Sequence, residues 1–316
     1  MTYDVVVIGE PLLEFSADGP LTSAGTFTLS FSGDALNAAV AAAAAGAHVA
    51  LLTRLGGDEL SDRLIGFLAT AGVDTCLIVR DPGQTGAYVL GADPGGTREF
   101  AYLRAGSAAT RLQPSDVDAA GVVNARSVLL SGITAALSAS CAATVLHSAK
   151  LVHSAGGTVV YDPNFRPRLT SASAARAFFG TIAPHLSVAL PSSPGDTAPL
   201  FGVTDPVAAA RHCHDAGTPV AVVTCGTDGL LLSTADGHTA LPVIPAPAVI
   251  DSTGAGDCFA GTLTARLALG DTLPEAAGVA MAAASLSLGG QGGTGFIPSL
   301  TQSRAHLERR TLPARS

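Results

Sequence analysis

Short apolar runs alternate with helix-length segments through most of the chain, and this alternation limits the available folds more than any other feature. Strand-like runs lie at about 4–8, 48–53, 127–131, 157–161, 187–190, 219–224 and 229–234. Helix-like segments lie at about 34–45, 58–71, 138–154, 171–183, 205–216, 256–269 and 274–288. Glycine punctuates several helix ends, at Gly46, Gly72, Gly156 and Gly217. Runs such as Val220-Ala221-Val222-Val223 are apolar at every position, which suits strands covered on both faces. The predicted architecture is α/β, a doubly wound and mostly parallel sheet.

Two stretches break the alternation. Residues 11–32 carry Phe15, Phe27, Leu29 and Phe31 around Gly19-Pro20. Residues 85–104 read as a hairpin, with strands Gly86 to Leu90 and Arg98 to Leu103 flanking the turn Asp93-Pro94-Gly95-Gly96. Together they predict a small β-sheet that acts as a lid, or else an edge extension of the main sheet.

Composition excludes several functions. The 316 residues are 47% hydrophobic and 13% charged, enough to bury a large core. A formal net charge of −8 leaves no electrostatic footprint for nucleic acid or an acidic membrane. Lys150 is the only lysine, so no Gly-x-x-x-x-Gly-Lys phosphate loop exists. Any polyphosphate must be held by backbone amides, arginine and a metal ion. Cys76, Cys141, Cys213, Cys225 and Cys258 are scattered, as in a reducing cytosol. His212-Cys213-His214 lacks further ligands at a fitting spacing and reads as a polar helical turn. No signal peptide or membrane span is evident, and a cytoplasmic location is expected.

The chemistry concentrates in Asp251-Ser252-Thr253-Gly254-Ala255-Gly256-Asp257. Alone, Gly-Ala-Gly-Asp is more often a capped helix start than an active site. The whole string supplies free N–H groups at a helix N-terminus beside a carboxylate, an anion cradle next to a base. Phosphoryl transfer onto an alcohol needs that pair. The string resembles the Asp-Thr-x-Gly-Ala-Gly-Asp signature of the ribokinase-like (PfkB) carbohydrate kinases, with Ser252 in place of a threonine. The resemblance implies that Asp257 is the base and that the amides around Gly254, Ala255 and Gly256 form the anion hole. It also implies a weaker role for Asp251 and Thr253 in holding a monovalent cation, such as K+.

Other segments extend the resemblance over about residues 4–300. Ser32-Gly33-Asp34-Ala35-Leu36-Asn37 is similar to the family's N-terminal Gly-Gly-x-x-x-Asn, with Ser32 replacing the first glycine. Gly33, Asp34 and Asn37 would then contact the sugar. Tyr102-Leu103-Arg104, followed by Ser107-Ala108-Ala109, resembles the lid exit of 2-keto-3-deoxygluconate kinases. Tyr102 and Arg104 fall on one face of a strand, and Tyr88 on the facing strand can join them. Asp162-Pro163-Asn164-Phe165-Arg166 resembles the recurrent Asp-x-Asn-x-Arg, with Arg166 directed at a carboxylate or phosphate. Two arginines, Arg104 and Arg166, favour an acidic sugar, because a guanidinium fork matches a carboxylate.

The nucleotide side departs more from the family. Thr224-Cys225-Gly226-Thr227-Asp228-Gly229 resembles its phosphate-side loop, but many members carry lysine where Thr224 stands. Ser192-Ser193-Pro194-Gly195-Asp196 replaces the Asn-x-x-Glu motif, leaving Asp196 as the nearest acid. Met281 stands where members often have asparagine beside adenine, and it offers packing without hydrogen bonds. Thr224, Gly226, Gly229 and Met281 are thus the predicted nucleotide contacts.

The expected protein is a ribokinase-like sugar kinase of residues 1–308, with lid segments at about 11–32 and 85–104 and a polar tail at 309–316. Its expected substrates are MgATP and a keto-sugar acid, 2-keto-3-deoxygluconate above others, with Mg2+ as cofactor. A fructokinase or other neutral-sugar kinase is the alternative within the class, and a sugar-binding pseudokinase the alternative outside it. A homo-oligomer is compatible with the sequence; nucleic-acid and membrane partners are not expected.

Overall fold

A computed structural model of the chain describes residues 2–91 and 100–311. Among them a 10-stranded main sheet runs in the order Gly237–Leu241, Leu230–Thr234, Val220–Thr224, Val188–Ala189, Thr158–Asp162, Ser127–Ser131, Val5–Ile8, Val49–Leu55, Val73–Asp74. The tenth strand, Ile78–Arg80, also pairs with Val49–Leu55. Pairing is parallel except at the edge formed by Val220–Thr224, Leu230–Thr234 and Gly237–Leu241.

Strand alternation sorts the core onto two faces. Val5 and Val7 join one apolar cluster, while Val6 and Ile8 join the other. The first cluster is covered by the helices Asp34–Ala44, Glu59–Thr70, Ala255–Ala268 and Leu273–Ser287. The second is covered by Ala139–Ser154, Ala172–Ile182 and Pro206–Asp215. Small residues allow the central helices to approach closely. A Cβ on Gly261 would stand 2.8 Å from the Ala38 carbonyl carbon, so the Asp34–Ala44 and Ala255–Ala268 helices meet backbone to backbone at that point.

The chain leaves the strand Val5–Ile8, returns beside it at Val49–Leu55, and later crosses to its other side at Ser127–Ser131. The strand order therefore reverses at Val5–Ile8. In doubly wound sheets ligands bind beyond the strand carboxyl ends at such a reversal. Ser131 and Asp162 end their strands there.

The interrupting stretches form a second sheet of four strands, in the order Phe27–Ser32, Leu12–Ala17, Ala87–Leu90, Phe100–Leu103. It is a separate sheet and not an edge of the main one. The hairpin pairing sets Tyr88 opposite Tyr102. The expected turn at Asp93 to Gly96, with Arg98 and Glu99, lies outside the described residues.

The sequence expectation starts a polar tail at Arg309. The helix Leu300–Thr311 carries the chain past that boundary. Leu307 packs against the main core and the His306 ring meets the Ser285 hydroxyl at 3.1 Å, so the helix has its own anchors. The tail residues 312–316 lie outside the described residues. Short strands at Val73–Asp74 and Gly237–Leu241 and short helices at Pro114–Ala119, Gly132–Ala136 and Thr197–Phe201 also escaped the sequence pattern. Most are too short to show a period.

Candidate active site

Two cavities open at the carboxyl ends of the strands. One, of about 400 Å³, lies beneath the lid sheet. The other, of about 730 Å³, lies over the Leu230–Thr234 edge and the Leu273–Ser287 helix. They share Ser192, Thr224, Ser252, Gly256 and Phe259 as walls. The N-terminus of the Ala255–Ala268 helix therefore stands at the seam between them.

Gly254 precedes this helix with φ 79°, a left-handed conformation that a side chain adopts only with strain. A Cβ there would also lie 2.8 Å from Gly293 Cα and 2.9 Å from its carbonyl oxygen. The Asp251 carboxylate braces the turn, accepting from Thr253 N at 2.9 Å and from Gly292 N at 2.8 Å. The first turn leaves the Gly256 and Asp257 amides without intrahelical acceptors, at the positive end of the helix dipole. The expected cradle residues Gly254, Ala255 and Gly256 lie at this helix start, Gly254 and Gly256 lining the first cavity and Ala255 and Gly256 the second.

Asp257 lines the first cavity. Asn37 Nδ2 donates to its Oδ2 at 2.9 Å, and Asn164 Nδ2 donates to Oδ1 at 3.4 Å. Burial raises the Asp257 carboxyl from its ordinary 3.8 to about 6, and the nearby Asp34 charge adds to the rise. The two asparagine amides and Arg166 oppose it. A carboxylate so placed is ionised at neutral pH, oriented by two amides, and more basic than an exposed aspartate.

Asn164 carries a backbone signature of its own. Its φ of 40° is the single positive value among the described non-glycine residues, and asparagine tolerates that region better than other side chains. The turn is fixed by Asp162 Oδ1, which accepts from Asn164 N at 2.9 Å, and by Asp196 Oδ1, which accepts from Phe165 N at 2.7 Å. Burial, reinforced by Asp196 and Asp257, holds the Asp162 carboxyl well above the usual carboxylate range.

The predicted sugar contacts converge on the first cavity, but several make other bonds than expected. Gly33, Asp34, Asn37, Tyr88, Tyr102, Arg104 and Arg166 all line it. Gly33 has φ 106°, and a Cβ there would sit 2.6 Å from the Glu10 carbonyl oxygen, so the chain passes too closely for any other residue. Asp34 Oδ2 already accepts from the Ser131 hydroxyl at 2.5 Å, and burial raises its carboxyl. Asn37 is buried and donates one N–H of its amide to Asp257, so it orients that carboxylate from within the cavity wall. The Tyr88 hydroxyl donates to buried Glu14, which leaves the ring facing the cavity. Burial raises its phenol further. Arg104 pairs with Glu10. Tyr102 is 46% exposed at the cavity rim, its ring stacked on Phe100 at 6.2 Å. Arg166 is exposed, with one nitrogen donating to the Phe165 carbonyl at 3.0 Å.

Thr224, Gly226, Gly229 and Met281 all line the second cavity. Its far wall is apolar, with Val243, Ile244, Val249 and Leu288 around Met281, a surface suited to a planar base. No arginine or lysine among the described residues lines it. Asp196 lines the first cavity beside the seam, its Oδ2 accepting from Ser192 N at 2.7 Å and Ser192 Oγ at 2.6 Å. No cluster of three or more His, Cys, Asp or Glu side chains that could cage a metal occurs among the described residues. None of their helices is long and apolar enough to cross a membrane.

Sequence reasoning did not single out Glu10, Glu14, Ser131 or the Asn164 amide. Only Asn164 left a signal, its place in the turn after a strand. The others are polar residues on or beside strands, and their roles follow from contacts across the fold.

The pfkB family carbohydrate kinase pattern matches residues 3–300. A 2-dehydro-3-deoxygluconokinase of Thermoproteus tenax is 35% identical over 93% of this chain and 91% of its own. A 2-dehydro-3-deoxygalactonokinase of Haloferax volcanii is 31% identical over 90% of this chain and 91% of its own. Among solved structures, a PfkB protein from Polaromonas sp. JS666 superimposes with a TM-score of 0.86 at 27% identity, covering 96% of this chain and 99% of that one. A protein described as Ribokinase II from E. coli, in complex with ATP and magnesium, has a TM-score of 0.88 at 24% identity, over 96% and 99% of the two chains. With the motif segments gathered at one seam and a match spanning nearly its whole length, the chain belongs to the pfkB family of carbohydrate kinases.

Proposed function

We propose that the enzyme transfers the γ-phosphoryl group of MgATP to the terminal hydroxyl of a 2-dehydro-3-deoxy sugar acid, with the gluconate as favoured substrate. One observation carries the reading: the two cavities meet at the first turn of the Ala255–Ala268 helix, where Asp257 faces the sugar side. The 2-dehydro-3-deoxyaldonate kinase names of the relatives support the acid. So do Arg104 and Arg166, the arginines that line the first cavity among the described residues.

In this reaction the substrate hydroxyl oxygen attacks the γ-phosphorus. Its proton passes to Asp257, and the bond to the bridging oxygen of ADP breaks. Charge on the moving phosphoryl group is met by the 254–257 amides. One such donor is worth about 3 kcal/mol in an oxyanion hole. Asn37 and Asn164 keep the Asp257 oxygens aimed. The lid sheet covers the sugar side and restricts water there.

Magnesium fits the donor set in one way. With no protein cage among the described residues, the ion would draw ligands from water and the nucleotide, and Asp196 and Asp162 are the first-cavity carboxylates that could help hold it. When bound it screens phosphate charge, which matters in a nucleotide cavity lined by no lysine or arginine among the described residues. A monovalent cation at Asp251 and Thr253 would bind beside the turn that the Asp251 carboxylate already braces and would stiffen it further.

A phosphorylation panel of 2-dehydro-3-deoxygluconate, its galactonate epimer and fructose, with and without K+, tests the reading. The acids are expected to exceed fructose in kcat/KM by at least tenfold. Equal or better turnover of fructose would refute the acid assignment.

A further inference from the structure

Glu10 lies between the main-sheet strand Val5–Ile8 and the lid strand Leu12–Ala17. It is 0% exposed. Its carboxylate pairs with the Arg104 guanidinium and accepts from the Ser107 hydroxyl, both just beyond the last lid strand, Phe100–Leu103. One carboxylate thus ties the way into the lid to the way out. Gly86, which leads into the third lid strand, leaves room for it: a Cβ there would lie 2.5 Å from Glu10 Oε1. Burial raises the Glu10 carboxyl against the pull of Arg104 and Ser107.

A buried ion pair is weak evidence of stabilisation, because desolvation offsets the attraction. Its value here lies in what it aims. The Arg104 side chain is 10% exposed and lines the sugar cavity; its Nη2 is the nitrogen paired with Glu10 Oε2, and its Nε has no hydrogen-bond partner. A guanidinium anchored by an ion pair, with a donor still unmatched, is a receptor for a planar anion. Free to swing on its stem, the same group would lose much of that fit.

We propose that Glu10 is a positioning residue for substrate selection, clamping Arg104 between lid and body so that its unmatched donor meets the acid group of the sugar. The proposal rests on the keto-sugar-acid reading above. It differs in sign from a role for Glu10 as mere counter-charge. If Glu10 only neutralised Arg104, removing its charge would strengthen binding of an acid, because a repelling anion would be gone. If Glu10 aims Arg104, the same change weakens binding.

Calorimetric titration of 2-dehydro-3-deoxygluconate and of MgATP into wild type, Glu10→Gln and Glu10→Asp separates these outcomes. Both variants should bind the acid about tenfold or more weakly, the scale of one charge-assisted hydrogen bond. The Kd for MgATP should move less than threefold, and in rate assays the loss should fall mainly on KM for the acid. Tighter or unchanged acid binding in Glu10→Gln overturns the proposal. So does unchanged binding in Glu10→Asp, which keeps the charge and is the variant to read should Glu10→Gln not fold. Equal weakening of acid and MgATP also overturns it, as a general structural defect. A wild type that binds fructose but not the acid refutes the substrate reading itself, so the two failures are told apart by the wild-type arm.

Discussion

Replacing Asp257 by asparagine should abolish turnover and, at the same time, make the protein more stable at neutral pH. The reason is the raised carboxyl, ordinarily at 3.8 and here at about 6, chiefly through burial and then through Asp34. That difference corresponds to about 3 kcal/mol in favour of the protonated form. A raised carboxyl means that the folded state holds the proton more tightly than the unfolded one. Its contribution is therefore full below about pH 4 and is lost as pH rises through about 6, where the site must hold an ionised group. Asparagine carries no charge and escapes that loss. It brings a smaller cost, because Asn37 and Asn164 both donate to Asp257, and an amide can accept from only one of them without adjustment. One such mismatch costs about 1 kcal/mol. The net gain at pH 8 is then about 2 kcal/mol. With an unfolding entropy of about 2.1 cal/mol/K per residue, that is about 3 °C in Tm for a chain of 316 residues. Urea unfolding of Asp257→Asn and wild type at pH 4, 6 and 8, followed by circular dichroism, measures it. Equal stability at pH 8, or a difference that does not change with pH, would refute the charge argument. Measurable wild-type-like turnover would refute Asp257 as the base.

Two further changes test the surroundings of the base. The rate of the wild-type enzyme should rise with pH through about 6 as Asp257 loses its proton, and Asp34→Asn should move that limb to lower pH by removing a like charge, read from kcat/KM between pH 4.5 and 8. Gly261→Ala should destabilise by about 3 kcal/mol, because its methyl group would press on the Ala38 backbone where two helices cross; denaturant titration gives the value, and a loss under 0.5 kcal/mol would show that the crossing can relax.

The main elements were legible because their signals are local. A strand such as Ser127–Ser131 or a helix such as Ala139–Ser154 carries its own period, cap and stop, and the prediction agrees to within a residue or two. Ser138 shows the cap directly, its hydroxyl accepting from Cys141 N at 3.0 Å. Short pieces such as Val73–Asp74 carry too few residues for any period and exist only because Val49–Leu55 is there to pair with them. The last helix, Leu300–Thr311, was not legible for a related reason. The last helix has little apolar periodicity of its own, and its stability comes from Leu307 and His306 meeting other helices.

The candidate site divides along the same line. The seven residues ending in Asp257 place a helix N-terminus and a carboxylate within one turn, and their resemblance to the family signature marked them out as the proposed cradle and base. What spacing could not reveal is which neighbours each charged group would acquire. Asn37 reaches Asp257 from 220 positions away and Asn164 from 93, through two strand ends and a helix crossing. Arg104 looked free to take a substrate acid, yet the fold sets Glu10 beside it; Tyr88 looked free to offer a hydroxyl, yet Glu14 takes it. Thus the order of elements and the position of the proposed base follow from local pattern, which a chain carries in itself. The charge state of the base, the aim of the arginine and the meeting of two cavities were decided by burial and by contacts between distant segments, and these exist only once the sheet has reversed its strand order and brought those segments to one edge.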